Sequence, residues 1–314
     1  IEVVYVWPHG YGEYEVQPIA DEGIWIADFT SVGFDLQPGM DGRSEVRDEF
    51  GNSTAVDWHT PNPRIRALPA VNEVHGYDWP MGASVQLTID DDTDPNNGFL
   101  YEDTKTVDIM NWDWNHTEIL FHLWEGDFTL QPGQYITMTD GNTIKTHWVT
   151  SLSVTTIDPN ADTVSGIAAP GSSVGHWACD DNGCANRHVI AGASGDWIAD
   201  FAHVDENDGE QDILDIRAGV GGDVYQNDDD GDYTEVQWRV PNPTIGIRAN
   251  DNHVEGWEWP LDVTVTITVD DPSTPETNPD ITRFANVYEA PWNPGEFRFD
   301  LDLNGVIDIQ PGFT

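Results

Sequence analysis

The stretch QNDDDGDYTEVQW, residues 226–238, sets carboxylates at alternate positions around a glycine: Asp228, Asp230 and Asp232, with Glu235 just beyond. Hard cations such as Ca2+ gather six to eight oxygens, and a glycine lets a short loop wrap the ion. The full EF-hand pattern is absent, because no Glu stands at its twelfth position. The same residues also suit a solvated turn between strands, and both readings stand at this level. The corresponding loop RDEFGNSTAVDW, residues 47–58, keeps Asp48, Gly51, Asn52 and Thr54 but has Phe50 in place of Asp230.

Two further acidic loops leave strands at corresponding places, DDDTDPNNG (90–98) and DDPSTPETNPD (270–280). Asp90, Asp92, Asp270 and Asp271 could ligate Ca2+, or could serve as charges that discourage mispairing beside an edge strand. A third acidic loop, HVDENDGEQD (203–212), has the same ambiguity. Cys179 and Cys184 are the only cysteines, and the residues between them, Asp180 to Gly183, are turn formers. They predict a hairpin bridged by a disulfide in an exported protein. A zinc site would need a second cysteine pair. Trp112 and Trp114 in NWDWNHTE are candidates for a surface aromatic pair.

Catalytic patterns are absent: no H-E-x-x-H, G-x-S-x-G, phosphate-binding loop or dinucleotide fingerprint occurs. The expectation is a non-enzymatic protein. With 57 acidic residues against 12 basic ones the net charge is −45. Such a surface repels nucleic acid and anionic lipid and attracts cations. No long apolar run marks a membrane-spanning helix in this segment.

These loops must be held by strands. ASVQLTID (83–90) and VTVTITV (263–269) alternate apolar and polar residues, and Asp140-Gly141 separates two alternating runs, a hairpin signal. No segment carries helical periodicity. The chain also repeats itself. WIADF occurs at 25–29 and 197–201, where Trp25 and Trp197 are expected as core anchors of equivalent strands. TPNPRIRALPAVNEVHGYDWPMG (60–82) returns about 180 residues later as VPNPTIGIRANDNHVEGWEWPLD. DLQPG, TLQPG, DIRAG and DIQPG recur about every 90 residues, so two module types alternate.

VSGIAAPGSSV, DWIADF and DDDGDYTEVQW together resemble the bacterial immunoglobulin-like (Big-type) tandem modules of repetitive cell-surface and adhesin proteins. The resemblance covers 151–240 best. It implies an all-β fold of tandem Ig-like β-sandwich modules of about 90 residues, arranged end to end. The expected organisation is a partial first-type module at 1–61, a second-type module at 62–150, a first-type module at 151–241 and a partial second-type module at 242–314. Residues 1–61 lack opening strands and 242–314 lack final ones, as in an excerpt of a longer array or a filament subunit completed by strand addition from a neighbour. The implied function is an extracellular stalk, adhesin spacer or surface filament, partnered by its own kind and by surface polysaccharide, and stiffened by Ca2+. The alternative is a carbohydrate-binding array of a secreted enzyme.

Overall fold

The computed structural model describes residues 3–18, 24–93, 98–110, 116–204, 212–274, 279–292 and 295–314. The fold is all-β: among these residues there are strands and four short 3-10 turns, and no α-helix. The chain divides into two compact units. The first holds residues 1–151 together with 226–235, and the second holds 152–225 with 236–314.

The first unit contains two hydrophobic cores. In the smaller one, an antiparallel sheet of Val3–Pro8, Asp41–Arg47 and Ser53–His59 turns Val4 and Val6 onto Phe29, Trp25 and Trp58. Gly42 is dictated by this packing, since a Cβ there would lie 2.0 Å from the Trp58 ring. The larger core lies between two sheets. One contains Arg64–Leu68, Glu73–Tyr77, Thr117–His122 and Asp108–Ile109. The other orders Ile144–Trp148, Tyr135–Thr139, Ser84–Asp90 and Tyr101–Thr106. The alternation read in the sequence works as a packing code here: Val85, Leu87 and Ile89 are wholly buried with Ile65, Val74, Trp79, Ile136 and Met138. The hairpin at Asp140-Gly141 is closed by the Asp140 carboxylate, which accepts from the Asn142 and Thr143 amides at 2.9 and 2.7 Å. Residues 226–235 join this unit through a parallel pairing of Tyr233 and Thr234 with Arg66 and Ala67.

The second unit also contains two cores. Ser153–Asp158, Thr163–Ile167 and Asp196–Asp200 form one sheet. Gly183–Ile190, Ser173–Asp180 and residues 221–225 form another. Trp197, Phe201, Val164, Val174 and Trp238 pack between them. The last core gathers Val254, Val265, Val269, Phe299, Leu303 and Ile309. Its strands are Thr244–Arg248, His253–Trp257, Phe297–Asp302 and Tyr288–Glu289 in one sheet, and Thr264–Val269 with Ile281–Asn286 in the other.

The two WIADF copies differ in structure. The second is the strand Asp196–Asp200, held by its ladder to Thr163–Ile167, with Trp197 only 3% exposed. The first is not a strand. Residues 25–28 lie outside any strand and Phe29 opens a 3-10 turn. A strand needs a ladder partner for its backbone groups, and among the described residues none pairs with 25–28. Trp25 nevertheless packs on its small core, as its residue type predicts.

Candidate functional site

Of the four residues expected to ligate a cation at the Gly231 loop, three converge. Asp228, Asp230 and Asp232 each bring an oxygen within 4.8 Å of the others. Glu235 does not join them; it pairs with the Arg66 guanidinium, which also donates to the Tyr77 hydroxyl at 2.9 Å. The loop itself is a side-chain-capped turn. Asp228 Oδ1 accepts from the Asp232 amide at 2.9 Å, and Gly231 supplies the left-handed residue at φ 85°. Asp48 caps its own loop in the same manner, accepting from Phe50 and Asn52, so this part of the motif serves turn geometry in both copies.

A cationic side chain already sits in the cluster. Lys145 Nζ lies 2.5 Å from Asp230 Oδ2 and 3.2 Å from Asp232 Oδ2, and donates to the Asp230 carbonyl at 3.2 Å. Asp232 is wholly buried and its Oδ1 accepts from the Ile65 amide at 2.7 Å. Burial pushes the Asp232 carboxyl up to about 7, against the pull of the Ile65 amide and Lys145. Asp230 moves the other way: burial alone would raise it, but Lys145 holds it below the usual carboxylate range. The ammonium is thus matched chiefly to Asp230, while Asp232 is the reluctant anion.

Beside it runs a chain of hydrogen bonds. His147 Nδ1 faces Asp228 Oδ2 at 2.8 Å, its Nε2 faces Thr234 Oγ1 at 2.9 Å, and Thr234 Oγ1 accepts from the Thr150 amide. The order carboxylate, imidazole, hydroxyl matches that of a nucleophilic triad. Here the hydroxyl is wholly buried and the imidazole nearly so, so no substrate atom can reach them. Burial also depresses the His147 pKa, keeping the ring neutral. The constellation fastens the segment 226–235 to strands of the same unit.

The other expected ligands do not assemble. Asp90 accepts from the Asp91 amide and, with Asp92, lines a small cavity beside Tyr135 and Thr137. Asp270 exchanges backbone hydrogen bonds with Thr314, and Asp271 caps a turn by accepting from the Ser273 amide at 2.9 Å. Trp112, Trp114 and most of the 203–212 loop lie outside the described residues. Cys179 and Cys184 stand opposite each other in the hairpin ladder and are joined by a disulfide, with Cα atoms 4.1 Å apart.

Two features were missed in the sequence. One is a group of His253, Glu255 and Asp300 on neighbouring strands, with one ligand atom from each within 4.8 Å of the others. Arg298 supplies the positive charge there, donating to Glu255 and Asp300 at 3.1 and 3.0 Å. Alternate acidic and basic positions in HVEGW and RFDLD were its only signal.

The second feature is a joint built twice, once within each unit. Asp78 Oδ2 accepts from the Asn62 amide at 2.7 Å, and Glu258 Oε2 accepts from the Asn242 amide at 2.9 Å. Both asparagines belong to Pro-Asn-Pro connections. Both acids hold a left-handed backbone, φ 59° and 58°, a conformation that costs a non-glycine residue energy and persists only when its surroundings enforce it. A basic side chain closes each joint. His59 bridges Asp41 and Asp78 at 2.8 Å each, and Arg239 lies 3.2 Å from Glu258. Burial opposes charge on His59, but the two carboxylates overcome it and raise its pKa.

Aromatic exposure is mixed. Trp79, Trp197 and Trp238 are buried, whereas Trp124, Trp148, Trp177 and Trp292 are exposed as single residues on separate elements.

No protein-family model matches the chain. No curated protein matches it either. Among solved structures it aligns with a 1.5-MDa bacterial ice-binding adhesin at 13% identity, over 76% of this chain and 85% of that one, with a TM-score of 0.18. It aligns with a Ca2+-stabilized adhesin that helps an Antarctic bacterium bind ice at 14% identity, over 96% and 82% of the two chains, TM-score 0.18. Dimeric latent PorU from Porphyromonas gingivalis aligns at 13% identity over 75% of this chain and 28% of that one, also with a TM-score of 0.18. At that TM-score these likenesses bring neither a shared strand arrangement nor a function to this chain.

Proposed function

We propose that this chain is a non-enzymatic extracellular structural protein, an array of Ig-like sandwich modules that acts as a stalk or adhesin spacer. In this reading the modules are 1–61, 62–150, 151–241 and 242–314. The observation that carries it is the joint made twice, by Asp78 with Asn62 and by Glu258 with Asn242. A spacer needs each module to hold its neighbour at a fixed angle. A Pro-Asn-Pro connection with its one free amide capped by a strained acid does this with few residues. Four separate hydrophobic cores support the same reading. Modules of this kind complete one another by strand addition where an edge is left open.

The acidic loops are compatible with calcium, and Asp228, Asp230 and Asp232 form the set nearest to a ligand shell. Ion binding there requires Lys145 to withdraw. The −45 charge suits an exposed array whose copies repel one another and remain dispersed.

Pulling single chains by their ends tests the mechanical reading. It predicts discrete unfolding events, one for each core, with a summed contour length that accounts for the chain. A featureless extension at low force would sink it.

A further inference from the structure

In a chain of net charge −45, a guanidinium without a counter-ion stands out. Arg64 is exposed and makes neither an ion pair nor a hydrogen bond among the described residues. Its stem lies against the acidic loop, with Cδ 3.5 Å from where a Cβ on Gly231 would stand, yet it does not pair with the carboxylates there. Its neighbour Arg66, by contrast, is committed to Glu235 and the Tyr77 hydroxyl.

Arg64 opens on a cavity of about 380 Å³ whose lining belongs wholly to the first unit. Arg66, Tyr77, Asp78, Met110 and Tyr233 also line it. The volume far exceeds a bare anion and falls at the small end of ligand sites. The other guanidinium and the carboxylate of the lining have counter-ions, Arg66 in Glu235 and Asp78 in His59. Asp78 takes both of its side-chain hydrogen bonds on Oδ2, which leaves Oδ1 to accept from a ligand. Tyr77 and Tyr233 bring ring surface, and buried Met110 adds an apolar patch.

The repeat shows that the fold does not need these arginines. The second unit keeps the joint through Asn242 and Glu258, but has Thr244 and Gly246 where the first has Arg64 and Arg66. There the Trp257 ring closes over Gly246, 2.7 Å from where a Cβ would stand. A strand and a joint of this kind thus form without a cationic cavity beside them.

We propose that this cavity binds a uronic acid residue, the carboxylate-bearing sugar of acidic polysaccharides. The sugar carboxylate takes the Arg64 fork, since planar two-point recognition of a carboxylate is what arginine does best. A ring hydroxyl donates to Asp78 Oδ1, and the C–H face of the ring packs against the tyrosines and Met110. The net negative charge does not prevent this. At physiological salt, charges more than about 8 Å away are largely screened, so direct contact with Arg64 dominates. The inference rests on the extracellular role proposed above, which supplies the polysaccharide.

The test is titration of the full chain with glucuronate and with galacturonate, followed by amide chemical shifts. Saturable shifts are expected at 64–66, 77–78 and 233, with glucose bound at least about tenfold more weakly. Arg64 is exposed and unpaired, so Arg64→Ala preserves the fold; it should weaken uronate binding at least about tenfold, with Arg64→Lys in between. Absence of saturable shifts with both uronates overturns the proposal, as do shifts confined to other residues, glucose bound as tightly, or affinity unchanged in Arg64→Ala. Inorganic phosphate that displaces the uronate at equal affinity overturns it in favour of a general anion site. Single-chain pulling is read without any sugar present, so the mechanical reading and this one fail separately.

Discussion

Lys145 places its ammonium 3.2 Å from a carboxylate oxygen of Asp232, a side chain with no exposure to solvent. The two residues lie far apart in the chain, and the contact puts the positive charge of the acidic loop inside the protein's own covalent structure.

Lys145→Ala is therefore expected to cost only about 1 kcal/mol, because Asp230 is largely exposed and Asp232 can take up a proton once the ammonium is gone. Denaturant titration measures it. Millimolar Ca2+ should restore part of the loss in the variant and leave the parent chain unchanged. If chelation at constant ionic strength lowers the stability of the parent chain, and Asp230→Asn abolishes that response, the loop holds an ion in preference to the ammonium.

Asp232 governs a pH dependence of opposite sign to that of most carboxylates. Burial pushes its folded carboxyl up to about 7 from the ordinary 3.8. Between those values the folded state holds a proton that the unfolded state has released. Its contribution to stability therefore falls as pH rises from about 4 to 7, at up to about 1.4 kcal/mol per unit. Asp232→Asn should flatten that slope in urea midpoints taken across the window. An unchanged slope would contradict the assignment.

His176 titrates in the other sense. Its ring packs at a tilt against Trp197, centroids 4.6 Å apart, and neither nitrogen has a hydrogen-bond partner. Burial brings its pKa down to about 3 from 6.5. Below pH 6.5 the unfolded chain takes up a proton that the folded chain refuses, so stability falls as pH drops toward 3. His176→Phe should remove that acid-limb loss and raise stability at pH 5 by about 1–2 kcal/mol. The difference from the parent chain should vanish above pH 7 apart from a constant offset. A parallel pair of pH curves would show that the ring is not buried neutral.

Local chemistry was legible and distant pairing was not. The alternation of Val85, Leu87 and Ile89 announces a buried face, and Asp140-Gly141 announces a turn, because each signal lies within a few residues of its effect. Asp180 to Gly183 point to a hairpin in the same way. Nothing near Asp228 reveals that Lys145 neutralises its loop or that His147 fastens it, since those partners arrive by folding. Nor does Glu235 reveal that it turns to Arg66 and leaves the neighbouring carboxylates. WIADF shows the limit most plainly: five identical residues form a strand in one place and not in the other, because a ladder is made by two segments.

The chain has only two lysines, and both are committed inward. Lys105 donates to the Leu120 carbonyl and lies over the Phe121 ring, while Lys145 is held among the carboxylates. The folded surface therefore offers almost no side-chain amine. Proteases that cleave after lysine, enzymes that acylate it and reagents that couple through it should all find little to attack until the fold opens. Lysine modification would then serve as a reporter of unfolding.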